Sequence, residues 1–292
     1  MSLTNQKRII FRAKAFVMAA FSTLSTMGFS FYSSPAYAAG RELIVTKSHT
    51  DGKDAKAYFI APTKPTPRGP STLVVYYHGM VSNIDEPFTL PPGAPIGPIL
   101  TSIYPHFGFL SVGIAHSWCD PAALADVADA INVVQTKYNF DRIVYIGASM
   151  GGCSLLSFIN QAPDNIKSKS ESILTILSCG DLANLYKLTK EPLVKESLEK
   201  VMGGTPAEAK AEYRARSFIP NIKKFPKSVK VIIVSHMEDT TMPPKLQLQL
   251  KRALEGNGNK VKFTERKGTH GTWPTPTQFQ YYIEHIVHKN LM

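Results

Sequence analysis

Residues 141–152 read Asp-Arg-Ile-Val-Tyr-Ile-Gly-Ala-Ser-Met-Gly-Gly, and the reading of this stretch decides the fold. The apolar, β-branched run over 142–146 has the character of a strand buried on both faces. Residues 149–161 carry helical spacing. Between the two, Gly147-x-Ser149-x-Gly151 puts a serine on the turn from strand to helix. A nucleophile at such a turn needs a tight, strained backbone, and flanks without side chains let strand and helix approach each other. Its hydroxyl then stands at a helix N-terminus, where the peptide dipoles favour developing negative charge. Three fixed positions alone would recur by chance in about one chain in ten, given average Gly usage. The strand before and the helix after carry the argument.

Working outward, the same buried-strand character recurs at 72–77, 109–115, 172–177, 229–235 and 260–265, with helical spacing at 122–137, 244–254 and 276–288. Strands alternating with helices predict an α/β fold with a mostly parallel central sheet and helices on both faces. Residues 41–48 and 55–61 read as an antiparallel hairpin around Asp51-Gly52-Lys53-Asp54. Two intervals exceed plain connectors. Residues 82–98, rich in Pro and Gly, read as a loop. Residues 181–227 hold helical stretches at 192–202 and 206–216 and predict a small helical cap above the strand ends.

The chemistry of an activated serine asks for a base, an acid and an oxyanion site. Asp239 follows the strand 229–235, where a carboxylate can orient an imidazole; Glu238 and Asp181 are its reserves. His270 lies in Gly268-Thr-His-Gly271 after the last strand, so the order Ser149, Asp239, His270 completes a triad. His78-Gly79-Met80 ends the strand 72–77, and the backbone amides of Met80 and Met150 are expected to hold an oxyanion. His78 is expected to hold its loop rather than move protons. Trp273 and Phe88 are the candidate substrate-binding residues; for Trp118 a core position competes with a place in the pocket.

With 292 residues, 43% hydrophobic and 19% charged, the chain excludes collagen-like, disordered and disulfide-scaffold classes. Three cysteines make no disulfide framework and have no zinc-site spacing. Residues 1–38 carry Lys7, Arg8, Arg12 and Lys14, then an apolar small-residue stretch and Ala36-Tyr37-Ala38, the layout of a cleaved export signal. The domain expected after cleavage is 39–292, exported to a periplasm or secreted, with the membrane met only during export. Removing the leader lowers the formal charge from +11 to +7. The remaining basic residues lack aromatic interleaving, so a solvated surface is expected rather than nucleic-acid binding. Export permits one disulfide among Cys119, Cys153 and Cys179, although buried free thiols are the expected state.

These residues resemble the α/β-hydrolase superfamily over nearly all of 39–292. Within it the chain is similar to the catalytic domain of prolyl-oligopeptidase-type serine hydrolases and their esterase relatives. The segments that carry the likeness are Gly147-Ala-Ser-Met-Gly-Gly152, Gly203-Gly-Thr-Pro-Ala-Glu208 leading to Tyr213-Arg-Ala-Arg-Ser217, and Asp239-Thr-Thr-Met-Pro243. The resemblance implies Ser149 as nucleophile, His270 as base and Asp239 as its orienting acid. Two departures stand out: Ser235-His236 where such enzymes usually carry His-Gly, and His78-Gly79-Met80 without further glycines. With about 33 residues between Ala38 and the first core strand at Thr72, the propeller that true oligopeptidases carry is not expected. A carboxylesterase acting through an acyl-enzyme is therefore the expected activity, with no metal or organic cofactor. Short-peptide hydrolysis, a non-catalytic ligand-binding relative, and acyl transfer to an acceptor other than water are the alternatives.

Overall fold

The computed structural model describes residues 40–66, 69–89, 96–114 and 117–287. Its strands are β1 (Arg41–Lys47), β2 (Asp54–Ile60), β3 (Thr72–Tyr77), β4 (Phe107–Val112), β5 (Arg142–Ala148), β6 (Ser170–Ile176), β7 (Lys230–His236) and β8 (Val261–Arg266). Its helices are α1 (Glu86–Thr89), α2 (Ile96–Ile103), α3 (Pro121–Tyr138), α4 (Met150–Gln161), α5 (Asp164–Lys167), α6 (Leu182–Leu188), α7 (Pro192–Met202), α8 (Lys210–Arg216), α9 (Pro244–Asn257) and α10 (Pro276–Val287). The strands form a single sheet in the order β1-β2-β4-β3-β5-β6-β7-β8. β1 and β2 make the expected antiparallel hairpin, β2 also runs antiparallel to β4, and every pairing from β4 to β8 is parallel.

All six residues of β3 are buried, because the sheet is covered on both sides. Successive side chains feed two separate cores: Leu73, Val75 and Tyr77 pack with α3, α4 and α9, while Val74 and Tyr76 pack with α2 and α10. β8, at the sheet edge, is mostly half-buried. Asp120 caps α3 by accepting from the amides of Ala122 and Ala123, with Pro121 in the first turn, where its missing N–H costs nothing.

The interval 181–227 contains α6, α7, α8 and a 3₁₀ turn at Ile219–Lys224, the expected helical insert. Trp118 Nε1 donates to Ser197 Oγ on α7 at 2.8 Å, and Arg216 pairs with Asp120 at 3.0 Å, so the insert is tied to the turn that opens α3. α8 starts at Lys210 rather than at 206, since the Glu208 carboxylate bonds both the amide and the hydroxyl of Thr205 and closes a turn there. The stretch 82–98, expected as loop, includes α1 and the start of α2. Pro98 is compatible with α2 because it falls in the first turn. The expected leader, 1–38, lies outside the described residues. Among those described, no helix is long and apolar enough to cross a membrane.

Candidate active site

β5 and α4 meet at Ser149, whose φ of 53° and ψ of −124° lie in a region that non-glycine residues rarely occupy. Holding such a conformation costs on the order of 1–3 kcal/mol, and the surroundings over-determine it. The Ser149 amide donates to the Ile176 carbonyl at 2.9 Å, and its carbonyl accepts from Cys153 at 3.1 Å. A Cβ on Gly151 would lie 2.2 Å from the Tyr77 carbonyl oxygen, and one on Gly147 would lie 2.8 Å from the backbone of Gly151. The glycines of the motif are thus required by close approach of β3, β5 and α4 at one point.

The ends of β7 and β8 supply the two partners. Asp239 has a fully buried side chain, and its Oδ1 accepts from the amides of Thr241 and Met242, each at 2.8 Å. Oδ2 accepts from His270 Nδ1 at 2.8 Å, and His270 Nε2 lies 2.9 Å from Ser149 Oγ. An ionised carboxylate only accepts, so Nδ1 carries the proton and Nε2 is left to accept from the serine hydroxyl. The three expected residues are brought together, and the reserves are not. Asp181 caps α6 by accepting from the Asn184 amide, and Glu238 is exposed.

At the end of β3, His78 Nδ1 lies 2.8 Å from the Gly79 carbonyl, and its Nε2 accepts from the Ile114 amide at 3.2 Å. The ring ties the loop to the end of β4, in keeping with a structural role. The adjoining carboxylate of Glu86 escaped the sequence reading. Its two oxygens accept from the Gly79 amide at 3.1 and 3.0 Å, and Oε1 also accepts from Tyr76 Oη at 2.6 Å. With the Gly79 amide engaged, Met80 is the next backbone donor of that loop. No spacing rule signals Glu86; only its burial within a stretch read as a loop marks it. Burial first, and then the Glu86 charge, push the Tyr76 hydroxyl well above the usual phenol range.

Phe88 packs edge-on against Tyr58 and Phe109 and lies under the Arg41 guanidinium, 4.5 Å from the ring centre. Trp118 is fully buried in the core. Trp273, half-buried, lines a cavity beside the His270 loop. Cys119, Cys153 and Cys179 are free and buried, with Cys153 and Cys179 Sγ atoms 3.3 Å apart beneath the Ser149 turn. Burial pushes the Cys119 thiol up to about 12.

This geometry fits an acyl-transferring serine, and the family comparison agrees. The prolyl oligopeptidase family model matches residues 122–286, which span β5, the insert, Asp239 and His270. The chain belongs to the prolyl oligopeptidase family. Its fold is that of the α/β-hydrolase superfamily. No curated protein sequence matches it.

Among solved structures, it is similar to an acylaminoacyl peptidase from Pyrococcus horikoshii, at 14% identity and a TM-score of 0.67, over 89% of this chain and 44% of that one. A puromycin-hydrolyzing peptidase from Mycobacterium tuberculosis matches at 17% identity and 0.63, over 88% and 39%. The chain spans less than half the length of either peptidase. A thermophilic esterase from the planctomycete Thermogutta terrifontis matches at 18% identity and 0.60, over 87% of this chain and 96% of that one. At such identities the likeness is one of fold.

Proposed function

We propose that this protein hydrolyses short, peptide-like acyl substrates, with Ser149 as nucleophile, His270 as base and Asp239 as orienting acid. The observation that carries the proposal is the unbroken hydrogen-bond chain from Asp239 through His270 to Ser149. His270 Nε2 takes the hydroxyl proton as Oγ bonds to the substrate carbonyl carbon, and the amides of Met80 and Met150 receive the oxyanion. The tetrahedral intermediate collapses, the C–N bond breaks, and the amine leaves with the proton from Nε2. Water repeats the path, freeing the acid and restoring Ser149. Family membership, and the peptidases among the similar structures, move the emphasis from the ester expected in the sequence towards an amide.

Ester cleavage is the second reading, favoured by the thermophilic esterase, which this chain matches over almost its full length. Export through a leader cleaved after Ala38 belongs to the proposal on the sequence alone, and N-terminal sequencing of the secreted protein tests it. For the chemistry, hydrolysis of aminoacyl anilides is to be compared with a p-nitrophenyl ester series, acetate to palmitate. Anilide turnover that falls by a factor on the order of 10⁴ in Ser149→Ala supports the peptidase. Turnover of esters alone replaces it with the second reading. Failure of a fluorophosphonate to label Ser149 in folded protein overturns both.

A further inference from the structure

A cavity of about 370 Å³ opens at the C-terminal ends of β7 and β8, against the His270 loop and the first turn of α10. That volume lies within the range of small-molecule sites. His236, Arg266 and Lys267 bound it on the strand side; Trp273, Thr275 and Gln278 bound it on the other. None of its lining side chains is acidic. Along β8 the side chains alternate, so Arg266 shares a face with Lys262, and both cations lie over tyrosines of α10. Arg266 stands 5.3 Å from the Tyr282 ring centre and Lys262 4.8 Å from that of Tyr281. Glu265 falls on the opposite face.

Arg266 has no ion pair among the described residues, and its Nε is buried without a hydrogen-bond partner. A planar guanidinium at a cavity wall, with no ion pair among the described residues, presents paired N–H groups that match a carboxylate. Two neighbours add to the match. The Gln278 carbonyl oxygen is taken by the Thr275 amide at 2.9 Å, which leaves its NH₂ as the polar group of that side chain. Trp273 adds an apolar wall, packed against the core.

The same short loop carries the catalytic base and one wall of the cavity. Thr272 lines the cavity while its Oγ1 accepts from the Thr269 amide at 3.1 Å, and the Thr269 carbonyl accepts from His236 Nδ1 at 2.9 Å. In the mechanism proposed above, His270 protonates the departing amine, so the leaving portion of a substrate lies on the His270 side of Ser149. We infer that this cavity is a carboxylate subsite for the leaving portion, selecting short peptides whose free C-terminal carboxylate follows closely on the scissile bond. The inference rests on the peptidase reading and gives it a substrate class.

The experiment compares N-acetylated dipeptides bearing a C-terminal acid with the same peptides as C-terminal amides. Wild-type protein is expected to show a kcat/KM at least about tenfold higher for the acid, the scale of one charge-assisted hydrogen bond. In Arg266→Gln that ratio falls towards one, and Arg266→Lys retains part of it. Titration calorimetry of Ser149→Ala with both peptides reads the site without turnover and is expected to give tighter binding of the acid. Circular dichroism verifies that each variant is folded, and Lys267→Gln is a second charge removal should Arg266→Gln fail that test. Equal turnover of acid and amide overturns the inference, as does a preference that survives in folded Arg266→Gln. If wild type cleaves neither peptide, the peptidase reading falls alone where Ser149→Ala still prefers the acid through Arg266, and both fall where it does not.

Discussion

The turn at Ser149 and the loop at His270 sit at the same end of the sheet but are held in place by different means. Around Ser149 the walls are backbone: β3 and α4 approach so closely that a single methyl group on Gly151 collides with the Tyr77 carbonyl. Around His270 the supports are hydrogen bonds, from the ring to the buried Asp239 carboxylate and from the Thr269 amide to Thr272 Oγ1, and the loop residues themselves are half-buried or exposed. The nucleophile is fixed by steric exclusion, which tolerates no change of residue. The base is fixed by polar partners, which can be altered one at a time. An active site can thus combine a rigid nucleophile with a base carried by a loop free to vary around it.

The largest effect should come from the polar side of this contrast. Asp239→Asn would have to offer its amide oxygen to the amides of Thr241 and Met242, turning NH₂ towards His270. His270 then carries its proton on Nε2, and kcat is expected to fall by about 10⁴ with the fold intact, the cost of the wrong tautomer. Thermal melting together with steady-state kinetics checks this; a loss of ten-fold or less would show that the carboxylate is dispensable.

On the steric side, Gly151→Ala is expected to destabilise the protein by about 3 kcal/mol or more, the scale of overpacking, and to lower activity with it. Denaturant titration measures this, and an unchanged midpoint would mean that β3 and α4 yield more readily than their contacts indicate. Glu86→Ala tests a third arrangement, a buried carboxylate holding the loop after β3. Freed from it, the Gly79 amide and its neighbour Met80 lose their fixed direction. The expected loss is about 10²-fold in kcat with little change in KM, the scale of one oxyanion donor. A rise in KM alone would assign Glu86 to substrate binding.

The smallest effect concerns a buried thiol of the core, Cys119. With Cys119 pushed up to about 12 by burial, its thiolate is scarce at pH 8, so alkylation of folded protein should be negligible there. The sign for stability follows from the raised value. The folded state holds its proton more tightly than the unfolded state, so the contribution is complete below the ordinary thiol range and is lost as pH rises towards 12. Mass spectrometry after iodoacetamide treatment, with and without denaturant, reads this; rapid labelling of native Cys119 would show that the core opens.

The centre of the sheet was legible because strands such as Thr72–Tyr77 and Arg142–Ala148 hold apolar runs buried on both faces. The pattern at Gly147, Ser149 and Gly151 was legible because close backbone approach leaves glycine as the only solution. α1 and α2 were obscured by the Pro and Gly between 82 and 98, whose turn preferences resemble those of a loop although Pro98 falls in a helical first turn. The start of α8 was overestimated because the bond between Thr205 and Glu208 is local and competes with the helix.

By itself, then, the sequence determined the sheet, the turn that carries Ser149, and the order in which its partners follow, since these depend on period, turn chemistry and chain direction. Only the tertiary structure decided that Asp239 rather than Asp181 or Glu238 reaches His270, because each acid is assigned by the amides it meets. It also decided that Glu86 clasps the loop after β3, and that Arg266 faces a cavity with no counter-ion among the described residues. Such placements depend on which distant strands and loops end side by side, and hydrogen-bond partners across the fold leave no periodic trace along the chain.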